Sequence, residues 1–358
     1  MEYIKSDVFK GKRVLITGHT GFKGSWLTMW LTKLGAKVIG LSLDSGHKNG
    51  IFNLSQIGKD IIDIRGDIRE EQKIKYVFET YKPEIIFHLA AQPLVKYSYQ
   101  YPKDTYSINV MGTLNILEEM RKYSEPQIGI FVTSDKCYQN NDWDWGYREI
   151  DPMGGIDPYS SSKGCCELLI SSYRDSYFNT QRFMEHQKVL ATVRAGNVIG
   201  GGDWAVDRII PDVVKAIKDK QDIIVRSPNA IRPWQHVLEA LSGYLVLASK
   251  LLEGNIKYSG AWNFGPHSHN GITVKELVEN IFQHWGYSGS WKLENNQTTF
   301  YEAKILNLDI SKANRSLQWF PRWDIYETIE KTTDWYKNYE TVSIKELCYR
   351  QINEYCNF

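Results

Sequence analysis

A tyrosine and a lysine four residues apart, Tyr159 and Lys163, open a helical pattern near the middle of the chain. Residues at i and i+4 share one helix face, one turn apart. An ammonium beside a phenol favours the phenolate, so Tyr159 could act as a base near neutral pH. Earlier, just after the apolar run 128–132, stands Ser134-Asp135-Lys136. The Ser134 hydroxyl can hold an alcohol or carbonyl oxygen. One proton relay suffices to oxidise an alcohol. Asp135 and Lys136 form a second acid/base pair, which points to a further step such as an elimination. Each motif also has an ordinary reading. Tyr-x-x-x-Lys arises by chance in many helices, and Ser-Asp-Lys after a strand is commonly a solvated loop.

A third feature, at the N-terminus, sets these motifs in context. Thr17-Gly18-His19-Thr20-Gly21-Phe22-Lys23-Gly24 follows the apolar run 13–16 and precedes a helical pattern over 25–34. A glycine-rich turn from a buried strand into a helix lets the backbone approach a pyrophosphate. The helix start supplies free N–H groups and a positive dipole end. Between a strand and a helix the glycine trio is far more specific than alone; its plain alternative is a tight turn without a ligand.

The elements that must carry these residues alternate. Strands are expected at 13–17, 37–43, 61–64, 85–89, 128–133 and 189–194. Helices are expected between them at 25–34, 70–81, 105–122 and 160–178. This rhythm predicts an α/β fold with a doubly wound parallel sheet of the Rossmann kind. The second half is less regular. It has the turn Gly200-Gly201-Gly202-Asp203 and helical patterns near 210–218, 236–252, 273–285 and 325–339. It reads as a smaller C-terminal α/β lobe closing over the sheet edge, where such folds bind ligands. We expect a dinucleotide domain over 1–194 with a returning segment near 235–262, and a substrate lobe from 195–234 and 263–358.

Composition narrows the classes. The chain has 358 residues and a net charge of +1 with mixed signs, so no nucleic-acid or membrane field is expected. No apolar stretch is long enough to span a bilayer, and the start lacks the build of a signal peptide. Five cysteines in no metal spacing fit reduced thiols in the cytoplasm. Cys165 and Cys166 are expected to pack. His88 and His236 read as structural, and no metal site is expected.

On its motifs the chain resembles the extended short-chain dehydrogenase/reductase superfamily over nearly its whole length. The matching runs are TGHTGFKG (17–24), GDIRE (66–70), HLAAQ (88–92), NVMGT (109–113), TSDKCY (133–138), YSSSK (159–163) and RPWQHV (232–237). Within that group it resembles the nucleotide-sugar 4,6-dehydratases that act on CDP-glucose, through AAQPLV (90–95), Asp135-Lys136, GNVIGGGDW (196–204) and DRIIPD (207–212). The resemblance implies a bound, recycled NAD, CDP-glucose as substrate, a 4-keto-6-deoxy product that leads to the deoxysugars of cell-surface polysaccharide such as lipopolysaccharide O-antigen, and a homodimer. Tyr159 would take the proton of the sugar 4-hydroxyl. Lys163 would lower the Tyr159 pKa and hold the nicotinamide ribose. Ser134 would bond the developing ketone, and Asp135 would be the acid for the leaving 6-hydroxyl. The dTDP-glucose dehydratases carry a Glu after the Asp, proposed as the C5 base. Here Lys136 stands there, either as that base or as a charge balancing Asp135.

Cofactor contacts implied by the resemblance are Gly18, Thr20, Gly21, Phe22, Gly24, Asp67, Ile68, Leu89, Ala90 and Ala91, with Tyr159 and Lys163. Asp44, 20 positions after Gly24, can bind the ribose 2′-hydroxyl and repel a 2′-phosphate, although a strand ending at Ser42 would leave it two residues beyond. NADP-using relatives carry arginines near this point, and we expect none here. Lys23 is a mild contrary sign. Substrate contacts would be Gln92, Asn197, Arg208, Arg232 and Glu302, with the two arginines clamping the pyrophosphate. Trp143 and Trp145 either cover the site or pack on the second lobe. Dimerisation is expected through helices 105–122 and 160–178. Their stripes Ile108, Met111, Leu114, Leu117 and Leu168, Leu169, Tyr173 would form a four-helix bundle, or else pack only on the sheet. Competing readings are a dehydratase of dTDP- or GDP-sugars, a 4-epimerase that needs no elimination pair, and a non-catalytic NAD(P)-binding regulator.

Overall fold

Seven strands build one sheet: β1 (Arg13–Thr17), β2 (Lys37–Ser42), β3 (Ile62–Arg65), β4 (Ile85–His88), β5 (Gln127–Val132), β6 (Lys188–Ala195) and β7 (Gly260–Phe264). The computed structural model describes residues 4, 6–125, 127–267, 271–294 and 306–357. The sheet runs β7-β6-β5-β4-β1-β2-β3, and every neighbour pair is parallel. Val14, Leu15, Ile16, Ile85, Ile86 and Phe87 are fully buried. Side chains on both faces of β1 and β4 are covered, as a sheet sandwiched by helices requires. The chain starts at β1, winds outward to β3, then crosses back to β4. The direction of winding therefore reverses between β1 and β4, and that crevice is where such sheets hold ligands.

The expected strands are all present. The second ends at Ser42 rather than at 43, so Asp44 lies beyond it. The first helix, Phe22–Lys33, begins three residues before the expected 25, directly at the glycine turn. The helix expected over 105–122 is three joined pieces. Pro102–Tyr106 opens it with proline in the first turn, a π-helical turn spans Ser107–Met111, and Gly112–Lys122 completes it. Asn109 in that turn is buried and bonds inward to the Gln92 amide N–H and to Ser162 Oγ, each at 2.8 Å.

After β6 the chain leaves the sheet. Helix Ile209–Asp219 follows, and among the described residues three two-stranded ribbons form, two of them completed only by the segments 272–273 and 291–293. Helix Val237–Leu252 then returns; nearly all of its residues are buried, as an all-round apolar helix must be. β7 adds itself beside β6. Three more helices close the chain, Val274–Trp285, Ile325–Asn338 and Ile344–Cys356, capped by Thr273, Asp324 and Ser343. The last falls outside the elements expected above. Its signal is the Ser343 cap with Glu346 three residues on, and the buried stripe Ile344, Leu347, Cys348, Ile352, Tyr355.

Trp143 stacks against Tyr147 with ring centroids 5.1 Å apart. Tyr147 in turn exchanges backbone bonds with Asn307 and Asp309. Trp143 therefore packs toward the second lobe, whereas Trp145 is exposed. Neither lines the cavity described next.

Candidate active site

The glycine turn lies across the exits of β1 and β4. Gly18 has φ +76°, and a Cβ there would come within 2.8 Å of the Ala90 amide nitrogen. A Cβ on Gly24 would sit 2.1 Å from the Gly18 carbonyl oxygen. Only glycine permits both close approaches. Leu89 N donates to Thr17 O, and Ala90 N to Thr17 Oγ1. His88 is buried and bonded through both ring nitrogens, to Thr17 Oγ1 and Thr113 Oγ1, so it ties β4 to its surroundings. Burial holds its pKa down at about 3, and it is neutral. His236 is likewise buried and caps helix Val237–Leu252.

Helix Phe22–Lys33 starts at Gly21, and no side chain caps it. That uncapped start, with the two enforced glycines, fits a dinucleotide pyrophosphate. Thr20 Oγ1 anchors the turn to Ser42 Oγ at 2.8 Å and Leu43 O at 3.0 Å. Phe22 packs beside Gly200. Asp67 follows β3 with its carboxylate gripped by Arg69, whose hydrogen bond holds its pKa below the usual range. Ile68 is buried against Gly112.

Asp44 stands exposed past the end of β2, and an arginine faces it. Arg65 Nε lies 3.2 Å from Asp44 Oδ1. The expectation that no arginine approaches this point is therefore corrected: Arg65 arrives from the neighbouring strand. Lys23 is corrected too. Read as a mild contrary sign on cofactor choice, it lines the catalytic cavity, where burial and Arg208 lower its pKa to about 8.

That cavity, about 730 Å³, lies between the sheet edge and the second lobe. β5 delivers Ser134 to it. Ser134 Oγ accepts from Lys136 N at 3.1 Å and so starts the short turn Asp135–Cys137. The same hydroxyl donates to Asp135 Oδ1 at 2.9 Å. Asp135 is buried, and burial raises its pKa against the pull of Lys136, Ser134 and Lys23. Lys136 lines the cavity half-buried, and no ion pair joins it to Asp135 among the described residues.

Helix Pro158–Ser176 delivers Tyr159. Asp157 caps it by accepting from Ser160 N at 2.9 Å, and the Tyr159 amide donates to Ser98 Oγ at 3.1 Å. Burial pushes the Tyr159 phenol up to about 12, while hydrogen bonding to Ser134 and the charge of Arg208 pull it down. Lys163 was expected to supply that pull. Its Nζ instead donates to Val132 O at 3.3 Å, and burial lowers its own pKa. Behind the floor, Glu167 and Arg194 form an ion pair at 2.7 Å, each side chain 4% exposed. Glu167 also accepts from Thr133 and Thr192, so the strand ends beneath Ser134 are braced.

From the second lobe, Asn197, Arg208 and Arg232 line the cavity, with Arg226, which the sequence reading missed. Arg208 Nη1 donates to Asp203 Oδ2 at 2.6 Å. Lys96 and Asp207 pair across the cavity wall at 2.5 Å. Gln92 is placed differently from expectation. Its amide bonds Leu94 in its own loop and Thr105 on helix Pro102–Tyr106, and it does not line the cavity. Glu302 lies outside the described residues.

The profile of a family described as GDP-mannose 4,6 dehydratase matches residues 15–332. A CDP-glucose 4,6-dehydratase of Salmonella typhimurium is 47% identical over 353 residues, covering 98% of each chain. A UDP-glucose 4-epimerase of Halalkalibacterium halodurans is 24% identical, over 91% of this chain and 96% of its own. Among solved structures, dTDP-glucose 4,6-dehydratase from Bacillus anthracis in complex with NAD superposes with a TM-score of 0.75 at 21% identity, covering 94% of this chain and 100% of that one.

Proposed function

The chain belongs to the GDP-mannose 4,6-dehydratase family of extended short-chain dehydrogenases, and on that footing we propose that it converts CDP-D-glucose into CDP-4-dehydro-6-deoxy-D-glucose and water. One observation carries the elimination: buried Asp135, with its pKa raised, shares a cavity with Tyr159 and is bonded to Ser134. An epimerase needs the Tyr159–Ser134 pair and has no use for a buried carboxyl group of raised pKa beside it.

Gly18, Gly21 and Gly24 would hold NAD, which when bound would accept hydride from C4 and give it to C6. Tyr159 takes the 4-hydroxyl proton, and Ser134 donates to the oxygen as it becomes a ketone. Lys163, buried with its Nζ donating to Val132 O, would hold the nicotinamide ribose. The ketone acidifies C5–H; Lys136 takes that proton and gives it back to C5 once water has left and C6 has regained the hydride. Asp135 gives its proton to the 6-hydroxyl, which leaves as water. Burial suits Asp135 to this role, because it keeps the proton to a higher pH than an exposed aspartate. Arg208 and Arg232 hold the substrate pyrophosphate, and Asn197 lies against the sugar. Residues 195–234 and 263–358 act as the substrate lobe.

Met111 and Leu168 are exposed on the helices expected to dimerise, whereas Leu117 is buried against the sheet. We read the exposed pair as the centre of a four-helix bundle between two copies. Five free thiols suit a reducing cytoplasm.

The test is a panel: the protein with NAD and, separately, CDP-, dTDP-, UDP- and GDP-glucose. Loss of one water by mass and the base-induced absorbance of a 4-keto sugar are expected with the CDP-sugar. Unchanged mass in every arm would refute the reading.

A further inference from the structure

The exit of β2, where Asp44 stands, is flanked on its far side by β3. Ser42 and Arg65 are register partners across that pair. Arg65 is therefore level with the last residue of β2, and its side chain reaches past it. Nε lies 3.2 Å from Asp44 Oδ1, Nη1 donates to Leu43 O at 3.3 Å, and Nη2 lies 2.9 Å from Asp63 Oδ2. The guanidinium also covers the Phe52 ring, 4.9 Å from its centroid. Four contacts fix it at the place where a dinucleotide fold reads the adenosine ribose.

A carboxylate at this position accepts from the ribose hydroxyls and repels a 2′-phosphate, whereas an arginine accommodates that phosphate. This chain holds both groups, in contact. We propose that Arg65 is a specificity-determining residue of the cofactor pocket: it positions Asp44 for the ribose diol of NAD, and it is the ready partner for a 2′-phosphate once Asp44 is removed.

Arg65 carries one positive charge against the two carboxylates of Asp44 and Asp63. While both remain, the corner is net negative and resists a phosphate dianion. Removing the Asp44 charge leaves Arg65 balanced against Asp63 alone, with Nε free. Asp63 is also held by His19 Nε2 at 2.8 Å, so it is anchored independently of Arg65. A guanidinium fixed by stacking and by a carbonyl loses little freedom on meeting a phosphate, and charge-assisted bonds of that kind are the strong ones.

This inference rests on Asp44 reading the ribose, and the experiment separates the two claims. Cofactor-free protein is titrated with NAD and with NADP, following tryptophan fluorescence, for wild type, Asp44→Ser, Arg65→Ala and the double variant. Asp44 is exposed, so its replacement spares the fold. Asp44→Ser should weaken NAD and shift the NADP-to-NAD preference toward NADP by about tenfold or more. The double variant should lose that gain, and Arg65→Lys in the Asp44→Ser background should restore part of it. Unchanged NAD affinity in Asp44→Ser would overturn the ribose assignment itself. Weakened NAD binding, with NADP affinity equal in Asp44→Ser and in the double variant, would overturn the role of Arg65 alone.

Discussion

The Ser134 hydroxyl donates to Asp135 Oδ1 at 2.9 Å. This bond joins the residue that serves the oxidation to the residue that serves the elimination. Both sit at the end of β5, so one strand terminus positions the groups for two consecutive steps. Thr133, just before them, is pinned by Glu167.

Tyr159→Phe removes the phenol that takes the 4-hydroxyl proton. Turnover should fall by a factor on the order of 100 or more, while NAD binding persists. Because burial raises the phenol to about 12, the base form is scarce at neutral pH. The single-turnover rate of NADH formation should therefore rise between pH 7 and 9 in wild type. A flat profile with near-normal rate in the variant would make Tyr159 a packing residue.

Lys136→Met leaves Tyr159, Ser134 and Lys163 in place, so oxidation at C4 should survive. Removal of the C5 proton should slow, and nicotinamide absorbance should rise on substrate addition and decay slowly. Exchange of the C5 hydrogen with deuterated water measures the step directly. Undiminished exchange in the variant would take Lys136 out of the role of base.

Asp135→Asn tests the acid and carries a signature in stability. The folded-state pKa of Asp135 lies above its ordinary value because of burial. The folded protein thus binds this proton more tightly than the unfolded chain. That contribution is fully present below the unfolded pKa and is lost as pH rises through the folded pKa. At pH 8 wild type bears the cost of a buried carboxylate and the Asn variant does not. Urea melts should show the variant gaining on wild type from pH 4 to pH 8, with water elimination abolished throughout. A pH-independent difference would contradict the assignment.

Gly24→Ala places a Cβ 2.1 Å from the Gly18 carbonyl, whereas at Gly21 the nearest atom would be 3.4 Å away. The first change should weaken NAD by a factor of about ten or more through displacement of the turn. Gly21→Ala should do much less. Equal NAD affinities by equilibrium dialysis would show that the turn does not carry the pyrophosphate.

The central strands were legible because they are buried on both faces and so read as apolar runs between glycine and polar turns; β3 is exposed to half-buried, and β7 was not among the expected strands. Tyr159 and Lys163 were legible because helix geometry places i and i+4 together. Contacts that depend on strand register were not. Arg65 meets Asp44 only because β2 and β3 pair with Ser42 opposite Arg65, and no local spacing announces that. Lys23 reads equally well as reaching outward or inward, since the direction of a side chain in a turn follows from the helix start. Gln92 sits in a matching motif, but its amide is consumed by Leu94 in its own loop and by Thr105 on the helix that follows. The Arg208–Asp203 pair joins two turn residues with no helical period between them.

The central claim is that hydride leaves C4 of CDP-glucose and returns to C6 within one active site as water is lost. CDP-glucose deuterated at C4, incubated with the protein and catalytic NAD, tests it most directly by mass spectrometry and NMR of the product. The account predicts a product lighter by one water, with deuterium at C6 and no accumulation of NADH. A product of unchanged mass with deuterium still at C4, or stoichiometric labelled NADH, would contradict it.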